Sequence, residues 1–340
     1  MPLETAPLII EHVRICASFH CNLHCEHCSA SAKYRGQYKG RLAPFQLSVW
    51  EITNFIDFLI DRHFLRKVSL TGGEPLLKIV FPRCAAVMFH ANKRGLEVQL
   101  NTVGGGQVPI RDVVSLFDDR EKLTFQFSFD GAKRETVDRL RRKAGVYKSS
   151  LRQMVEGVNC GALVQAKMAA YRHNIGEALS AYRLLSSIGV NSFRIKPMFA
   201  SGAALHNEVA LLGSAEEIKE LQEALIAMAA QSPTRLELLP PVFVDAAQQR
   251  PNVRYGRCDC GVASVYLSTN GDLYPCPSVI EALDRHEFLV GNVRSPGFDL
   301  EVAWRTAPAL KKYRRNSDCA QCPTLVALLK DVQNRALACA

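Results

Sequence analysis

Apolar and polar positions along the first two thirds of the chain follow two rhythms. EHVRICAS (11–18), KVSLT (67–71), LEVQLNT (96–102), KLTFQFSF (122–129), ALVQAKMAAY (162–171) and SFRIKP (192–197) are short β-rich runs that predict strands. Between them lie stretches with apolar residues at helical spacing. LSVWEITNFIDFLIDR (47–62) opens at Ser48, and SAEEIKELQEALIAMAAQ (214–231) opens at Ser214. Segments 81–94, 109–118 and 146–160 read the same way, as does 174–189, which Gly189 closes. Six β-α units in a row predict parallel strands with helices outside. A span of about 220 residues suits a partial barrel of six units better than a full one of eight. After LLPPV (238–242), a linker, the pattern changes to short strands and turns such as STNGDLY (268–274). The expected architecture is α/β: a partial (β/α)6 TIM-like barrel over 1–232, then a small cysteine-rich α+β domain over 233–340.

In parallel α/β barrels, sites form at the C-terminal ends of the strands. After the first strand comes SFHCNLHCEHCSA (18–30), with Cys21, Cys25 and Cys28. After the second comes TGGEP (71–75), after the third NTVGGG (101–106), after the fourth SFDG (128–131) and after the sixth KPMFASG (196–202). Polar and glycine-rich groups thus converge on one rim. Three thiols separated by three and then two residues fit neither a zinc pair nor a disulfide well. A four-iron cubane has four metal corners, and one tight loop can hold three of them. The fourth iron is then open to an exogenous ligand. A zinc site with His24 or His27 as fourth ligand is the competing reading, and it leaves TGGEP and SFDG unexplained.

CNLHCEHC fits the CxxxCxxC signature, and with TGGEP and SFDG in β-α order the chain resembles the radical S-adenosylmethionine (SAM) superfamily from about residue 10 to 232. The resemblance implies a [4Fe-4S] cluster on Cys21, Cys25 and Cys28, whose open iron chelates SAM. It also implies cleavage to a 5'-deoxyadenosyl radical that abstracts hydrogen from substrate. Gly72, Gly73 and Glu74 match the element that lies along the methionine amino group. Asn101, Ser128 and Asp130 sit where ribose and methionine contacts are usually made. His27 occupies a position that is often aromatic in the family. The basic run KRETVDRLRRK (133–143) reads first as a solvated helix face. The resemblance also implies that an arginine there or on strands five and six reaches the SAM carboxylate, with Arg172, Arg194 and Lys196 the candidates nearest strand ends.

Residues 258–276 read CDCGVASVYLSTNGDLYPC, and Cys319-Ala-Gln-Cys322 follows. This resembles the pattern of SPASM and twitch domains, which carry auxiliary iron–sulfur clusters. Asn270-Gly271 signals a hairpin between the two cysteine segments. No further cysteines follow in PTLVALLKDV (323–332), so the shorter twitch form is expected. It implies one auxiliary [4Fe-4S] cluster held by Cys260, Cys276, Cys319 and Cys322. A zinc ribbon on the same four cysteines is the alternative. Among the rest, Cys16, Cys84 and Cys160 read as core residues. Cys258, two residues before a cluster ligand, is an alternative ligand or a hydrogen-atom donor to a substrate radical; Cys339 is a weaker candidate.

Composition narrows the reading further. The 340 residues are 48% hydrophobic and 22% charged, as in an ordinary globular protein. There is no apolar run long enough for a membrane span and no signal-peptide pattern, which points to the cytoplasm. Twelve cysteines in a reducing compartment then favour metal or redox chemistry over disulfides. The net charge of +9 suits an anionic ligand or simply a basic surface, and no nucleic-acid motif accompanies it. Cys21 lies too near the start for a fused leader-binding domain, which favours the family's small-molecule members. The expectation is hydrogen abstraction from a carbohydrate-like natural-product precursor, ending in epimerisation or dehydrogenation. The resemblance also implies an electron donor such as flavodoxin or ferredoxin. Peptide modification, decarboxylation, nucleotide modification and a zinc-bound scaffold are the alternatives.

Overall fold

The periodicities of the sequence become elements where capping and burial agree. The computed structural model describes residues 8–29, 46–198, 202–206, 214–256, 258–281 and 285–315. Strand β1 is His12–Ser18 and helix α1 is Val49–His63. Ser48 caps α1 in a capping box with Glu51, and Ile52, Phe55, Ile56 and Leu59 form its buried stripe. There follow β2 (Lys67–Gly72), α2 (Phe81–Lys93), β3 (Glu97–Thr102), α3 (Ile110–Val114), β4 (Leu123–Ser128), α4 (Arg134–Arg141), α5 (Val146–Asn159) and β5 (Leu163–Ala170). Then come α6 (Ala178–Ser187), β6 (Ser192–Pro197) and α7 (Ala215–Ala229), the last opened by a second capping box, Ser214 with Glu217. The fold is the expected α/β one: a partial barrel of parallel strands that does not close, followed by a small cysteine-rich segment.

Two compact units divide the chain. The first holds Met1–Cys21, Ser29–Gln99 and Asp259–Ala340. Within it β1 pairs in parallel with β2, from His12 opposite Lys67 to Cys16 opposite Thr71. On its other side β1 pairs in parallel with β9 (Ser264–Leu267). β9 turns at Asn270-Gly271 into antiparallel β10 (Asp272–Tyr274), so the hairpin signal is met, with Gly271 at positive φ. β11 (Gly291–Asn292) continues that edge, and α8 (Leu300–Thr306) and α9 (Pro308–Arg315) follow. That β9 lies beside β1 is not legible in local pattern, because the pairing joins chain ends.

The second unit holds Asn22–Cys28 and Leu100–Cys258. Here β4, β5 and β6 run parallel in order, and β7 (Arg235–Leu238) and β8 (Val253–Tyr255) add two parallel strands. The apolar pattern does not predict these two. Each is very short: β7 alternates polar and apolar (RLEL) over only four residues and β8 has three, too few to stand out from a loop. On β5 the alternate residues Val164, Ala166, Met168 and Ala170 are buried, which leaves Gln165 and Lys167 on the other face.

Candidate active site

In the first unit, β1 leaves the sheet through Ser18, Phe19 and His20, and Cys21 ends this segment. The exit lies on the TGGEP turn. Gly73 N donates to Ser18 O at 2.7 Å and Glu74 N donates to His20 O at 2.8 Å. A Cβ on Gly73 would stand 1.9 Å from His20 O, and one on Gly72 would stand 2.3 Å from Ser18 O. Both glycines are therefore required by the strand exit itself, and Gly72 also has positive φ. Glu74 is buried, and its Oε1 accepts from Leu76 N at 3.1 Å.

In the second unit, Cys25 is buried and Cys28 half-buried, and a turn joins them through Cys28 N to Cys25 O at 3.3 Å. The C-terminal turn of α4 holds this loop. Leu140 O accepts from Glu26 N at 2.9 Å, and Arg142 faces Glu26 at 3.7 Å. Arg141 turns inward. Its Nη1 donates to Cys25 Sγ at 3.5 Å, and its Nη2 donates to Ser128 O at 3.1 Å and to Asp130 Oδ2. Burial works against this guanidinium, but Asp130, Cys25 and Cys28 more than offset it and hold it firmly protonated. Asp130 is buried, and its Oδ1 accepts from Ala169 N at 2.8 Å. His27 lies 3.6 Å from Asp130, with burial pushing its imidazole down to about 4, and its ring stacks on Tyr171. His27 Nδ1 and the Tyr171 hydroxyl are buried with no hydrogen-bond partner among the described residues.

Beyond this corner, polar residues share one face of the strands. Ser128, Lys167, Arg194 and Glu237 stand opposite one another across β4, β5, β6 and β7. Gln126 links Asn101 at 3.1 Å to Arg194 at 2.7 Å, and Arg194 pairs with Glu237 at 2.9 Å. Of the three cations expected near the SAM carboxylate, Arg194 is thus engaged in this ladder, Lys196 is half-buried and Arg172 is exposed.

The second cysteine group lies in the first unit, except that Cys258 closes the second unit and is exposed. Asp259 O accepts from the backbone of Val262, Ala263 and Ser264, and Cys260 sits buried inside that turn. Arg14 of β1 reaches in: Nη2 donates to Asp259 Oδ1 at 2.7 Å, and Nη1 donates to Ser264 Oγ at 2.5 Å and to Cys260 Sγ at 4.0 Å. Burial opposes the Asp259 carboxylate, but His12 and Arg14 outweigh it and hold it well below the ordinary carboxylate range. Cys276 Sγ accepts from Ser278 N at 3.4 Å. Cys319, Cys322 and Cys339 lie outside the described residues.

The run 133–143 is not wholly a solvated face, because Arg141 shares the buried side of α4 with Val137 and Leu140. The spacing 137, 140, 141 was the available signal. Cys160 is not a core residue: it caps α5, half-exposed, whereas Cys16 and Cys84 are buried and burial pushes both thiols up to about 12. Arg14 also escaped the sequence reading, although a charge inside a strand flanked by buried residues needs a partner.

The donor chemistry fits iron–sulfur clusters. Thiolates are their ligands, and a guanidinium against a buried sulfur suits a negatively charged one. The comparisons agree. The model of the radical SAM superfamily matches residues 15–195, and that of an iron–sulfur cluster-binding domain (SPASM) matches 258–323. Among curated relatives, the GTP 3',8-cyclase of Campylobacter fetus is 26% identical over 104 residues, 31% of this chain and 30% of that protein. The GTP 3',8-cyclase of Helicobacter pylori (strain J99) is 22% identical over 168 residues, 49% of this chain and 48% of that protein. The chain thus spans half or less of the length of these relatives. Among solved structures, Streptococcus suis SuiB bound to the precursor peptide SuiA superposes with a TM-score of 0.69 at 13% identity, covering 94% of this chain and 71% of SuiB. The anSMEcpe enzyme with bound AdoMet gives 0.61 at 12% identity, covering 90% and 82%. No helix among the described residues is long and apolar enough to cross a membrane. The matched domains carry their cofactors with them: SAM and a [4Fe-4S] cluster for the first, auxiliary iron–sulfur for the second. Because the first match takes in more than half of the sequence, from inside β1 to inside β6, this chain belongs to the radical SAM superfamily.

Proposed function

We propose that this enzyme abstracts a hydrogen atom from a polar, carbohydrate-like small molecule and epimerises or dehydrogenates it. The observation that carries this reading is the row Ser128, Lys167, Arg194 and Glu237, flanked by Asn101 and Gln126. Closed barrels fill this layer with branched apolar side chains. Here the same positions offer a hydroxyl, amides and charges of both signs, which suit a substrate rich in hydroxyl or anionic groups. The curated relatives, named for GTP, act on a molecule that contains a sugar and phosphates, which supports the polar class.

In this reading Cys21, Cys25 and Cys28 hold the SAM-binding cluster, and Gly72, Gly73, Glu74, Asn101, Ser128 and Asp130 surround SAM. Cys260, Cys276, Cys319 and Cys322 hold the auxiliary cluster. Residues 1–232 form the catalytic domain and 233–340 the auxiliary one. Bound SAM and its cluster supply a 5'-deoxyadenosyl radical. The chain's own residues seat the loop 21–28, orient the substrate along the polar row and, through the exposed Cys258 thiol, return a hydrogen atom if the outcome is epimerisation. The reading includes a cytoplasmic location and a flavodoxin- or ferredoxin-like electron donor. A second reading, peptide modification, is favoured by the fold likeness to SuiB, whose structure holds a precursor peptide.

The test uses anaerobically reconstituted protein with SAM and dithionite. Formation of 5'-deoxyadenosine, enhanced by sugar substrates, is the expected result. Deuterium from solvent at one product carbon, lost in the Cys258→Ser variant, marks epimerisation. Enhancement by short peptides alone supports the second reading. No SAM cleavage by protein with its full iron content would sink both.

A further inference from the structure

Two arginines far apart in the sequence occupy the same chemical position. Arg141 lies 116 residues from Cys25, and Arg14 lies 246 residues from Cys260. Each donates from Nη1 to a cysteine sulfur, at 3.5 Å and 4.0 Å, and from Nη2 to an aspartate, Asp130 and Asp259. Each has a further anchor that fixes the guanidinium plane: Ser128 O at 3.1 Å for Arg141 and Ser264 Oγ at 2.5 Å for Arg14. The fork of a guanidinium can hold a carboxylate and a sulfur at once, which an ammonium on a flexible stem does not.

Surface arginines make such contacts by chance, but Arg141 is buried and Arg14 is only partly exposed. The Arg141–Asp130 side chains are 4% and 2% exposed, and Arg14 is 22% exposed. A guanidinium drawn wholly or partly out of water needs more than one partner to offset its desolvation, and in both places one of the partners is a sulfur from the proposed ligand sets.

Resting on those ligand sets, we infer that Arg141 and Arg14 are positioning residues, one for each cluster. Each donates an N–H to one ligand sulfur, Cys25 or Cys260, and is held there by its own aspartate. Hydrogen bonds and positive charge at ligand sulfurs stabilise the more negative, reduced cluster and raise its potential. Arg141 therefore makes the SAM-binding cluster easier to reduce, and Arg14 does the same for the auxiliary cluster. The effect is larger at Arg141, where water screens less.

The experiment is a redox titration, followed by electron paramagnetic resonance, of the full-length reconstituted protein with both clusters. R141Q lowers the potential of the SAM-binding cluster alone, and R14Q lowers that of the auxiliary cluster alone. R141K and R14K, which keep the charge but lose the fork, give smaller shifts at the same clusters. A purely structural pair leaves both potentials unchanged at full iron content, and that result overturns the inference. So does a shift of both clusters by either variant. If R141Q does not fold, R141K decides by the same readout. Cys25→Ala and Cys260→Ala test the underlying reading separately: if either protein retains both cluster signals, the ligand assignment fails whatever the arginine variants show.

Discussion

The two arginine–aspartate pairs are alike in chemistry and unlike in surroundings. Arg141 and Asp130 are sealed, and both are backed by main-chain groups. In the other pair, Asp259 is 37% exposed and shares its carboxylate with His12 at 3.5 Å. The difference teaches that the same donor pair costs more to break, and acts more strongly on its neighbour, where it is sealed than where water reaches it. Removing a partner from a sealed pair leaves an uncompensated charge, whereas water takes up the loss in an open one.

The comparison breaks most sharply at the sulfurs. Cys25→Ala is expected to abolish 5'-deoxyadenosine formation and to remove about four of about eight irons, while Cys260→Ala removes the other set. Iron and sulfide counts with cluster spectra check this. If both variants lose all iron, the clusters are not independent and the two sites cannot be compared singly.

Next in size is the contrast between the aspartates. Asp130→Ala leaves Arg141 buried without its counter-ion and is expected to cost about 3–5 kcal/mol. Asp259→Ala is expected to cost about 1 kcal/mol or less. Urea midpoints of the two variants measure the gap, and equal losses would erase the distinction drawn from burial.

The glycine turn sharpens the comparison from a different side, since it supports the strand exit before Cys21 with backbone alone. Gly73→Ala forces a Cβ to 1.9 Å from His20 O unless the strand exit moves. A loss of roughly 1–3 kcal/mol is expected from such overpacking. Thermal unfolding would show it, and an unchanged transition would mean that the loop before Cys21 yields freely.

The smallest effect calibrates the scale. Arg294 and Glu51 form a third pair, 38% and 26% exposed, with Arg294 Nη2 donating to Glu51 Oε2 at 2.8 Å. Arg294 and then Ser48 hold the Glu51 carboxylate down at about 2, against 4.5 for an ordinary glutamate. Because the folded value is the lower one, the stabilisation is complete above pH 4.5 and is lost as pH falls towards 2. E51Q is expected to differ from the parent by about 0.2–1 kcal/mol near neutrality and to converge with it in acid. A difference that instead grows in acid would reverse the sign.

Much of this was legible in the chain. Ser48 and Ser214 each precede a glutamate by three residues, and both helices begin where that signal places them. The six main strands follow from their apolar runs, and the spacing of Cys21, Cys25 and Cys28, joined to TGGEP and SFDG in β-α order, pointed to the superfamily whose model matches the chain. β7 and β8 were not legible, because four and three residues are too few to show a period. Nor was the partial exposure of Cys160, which follows from its place at the end of α5 rather than on its face.

Element type, strand count through β6 and the family motif were thus determined by local sequence, where backbone preference and side-chain periodicity act over a few residues. Which of the many basic side chains meets a sulfur was decided only by tertiary structure. Arg14 faces Asp259 because β9 lies beside β1, and Arg141 faces Cys25 because α4 ends against the loop at Glu26. Pairings across 246 and 116 residues leave no local trace, since a charge becomes worth burying only after the fold has brought its partner to it.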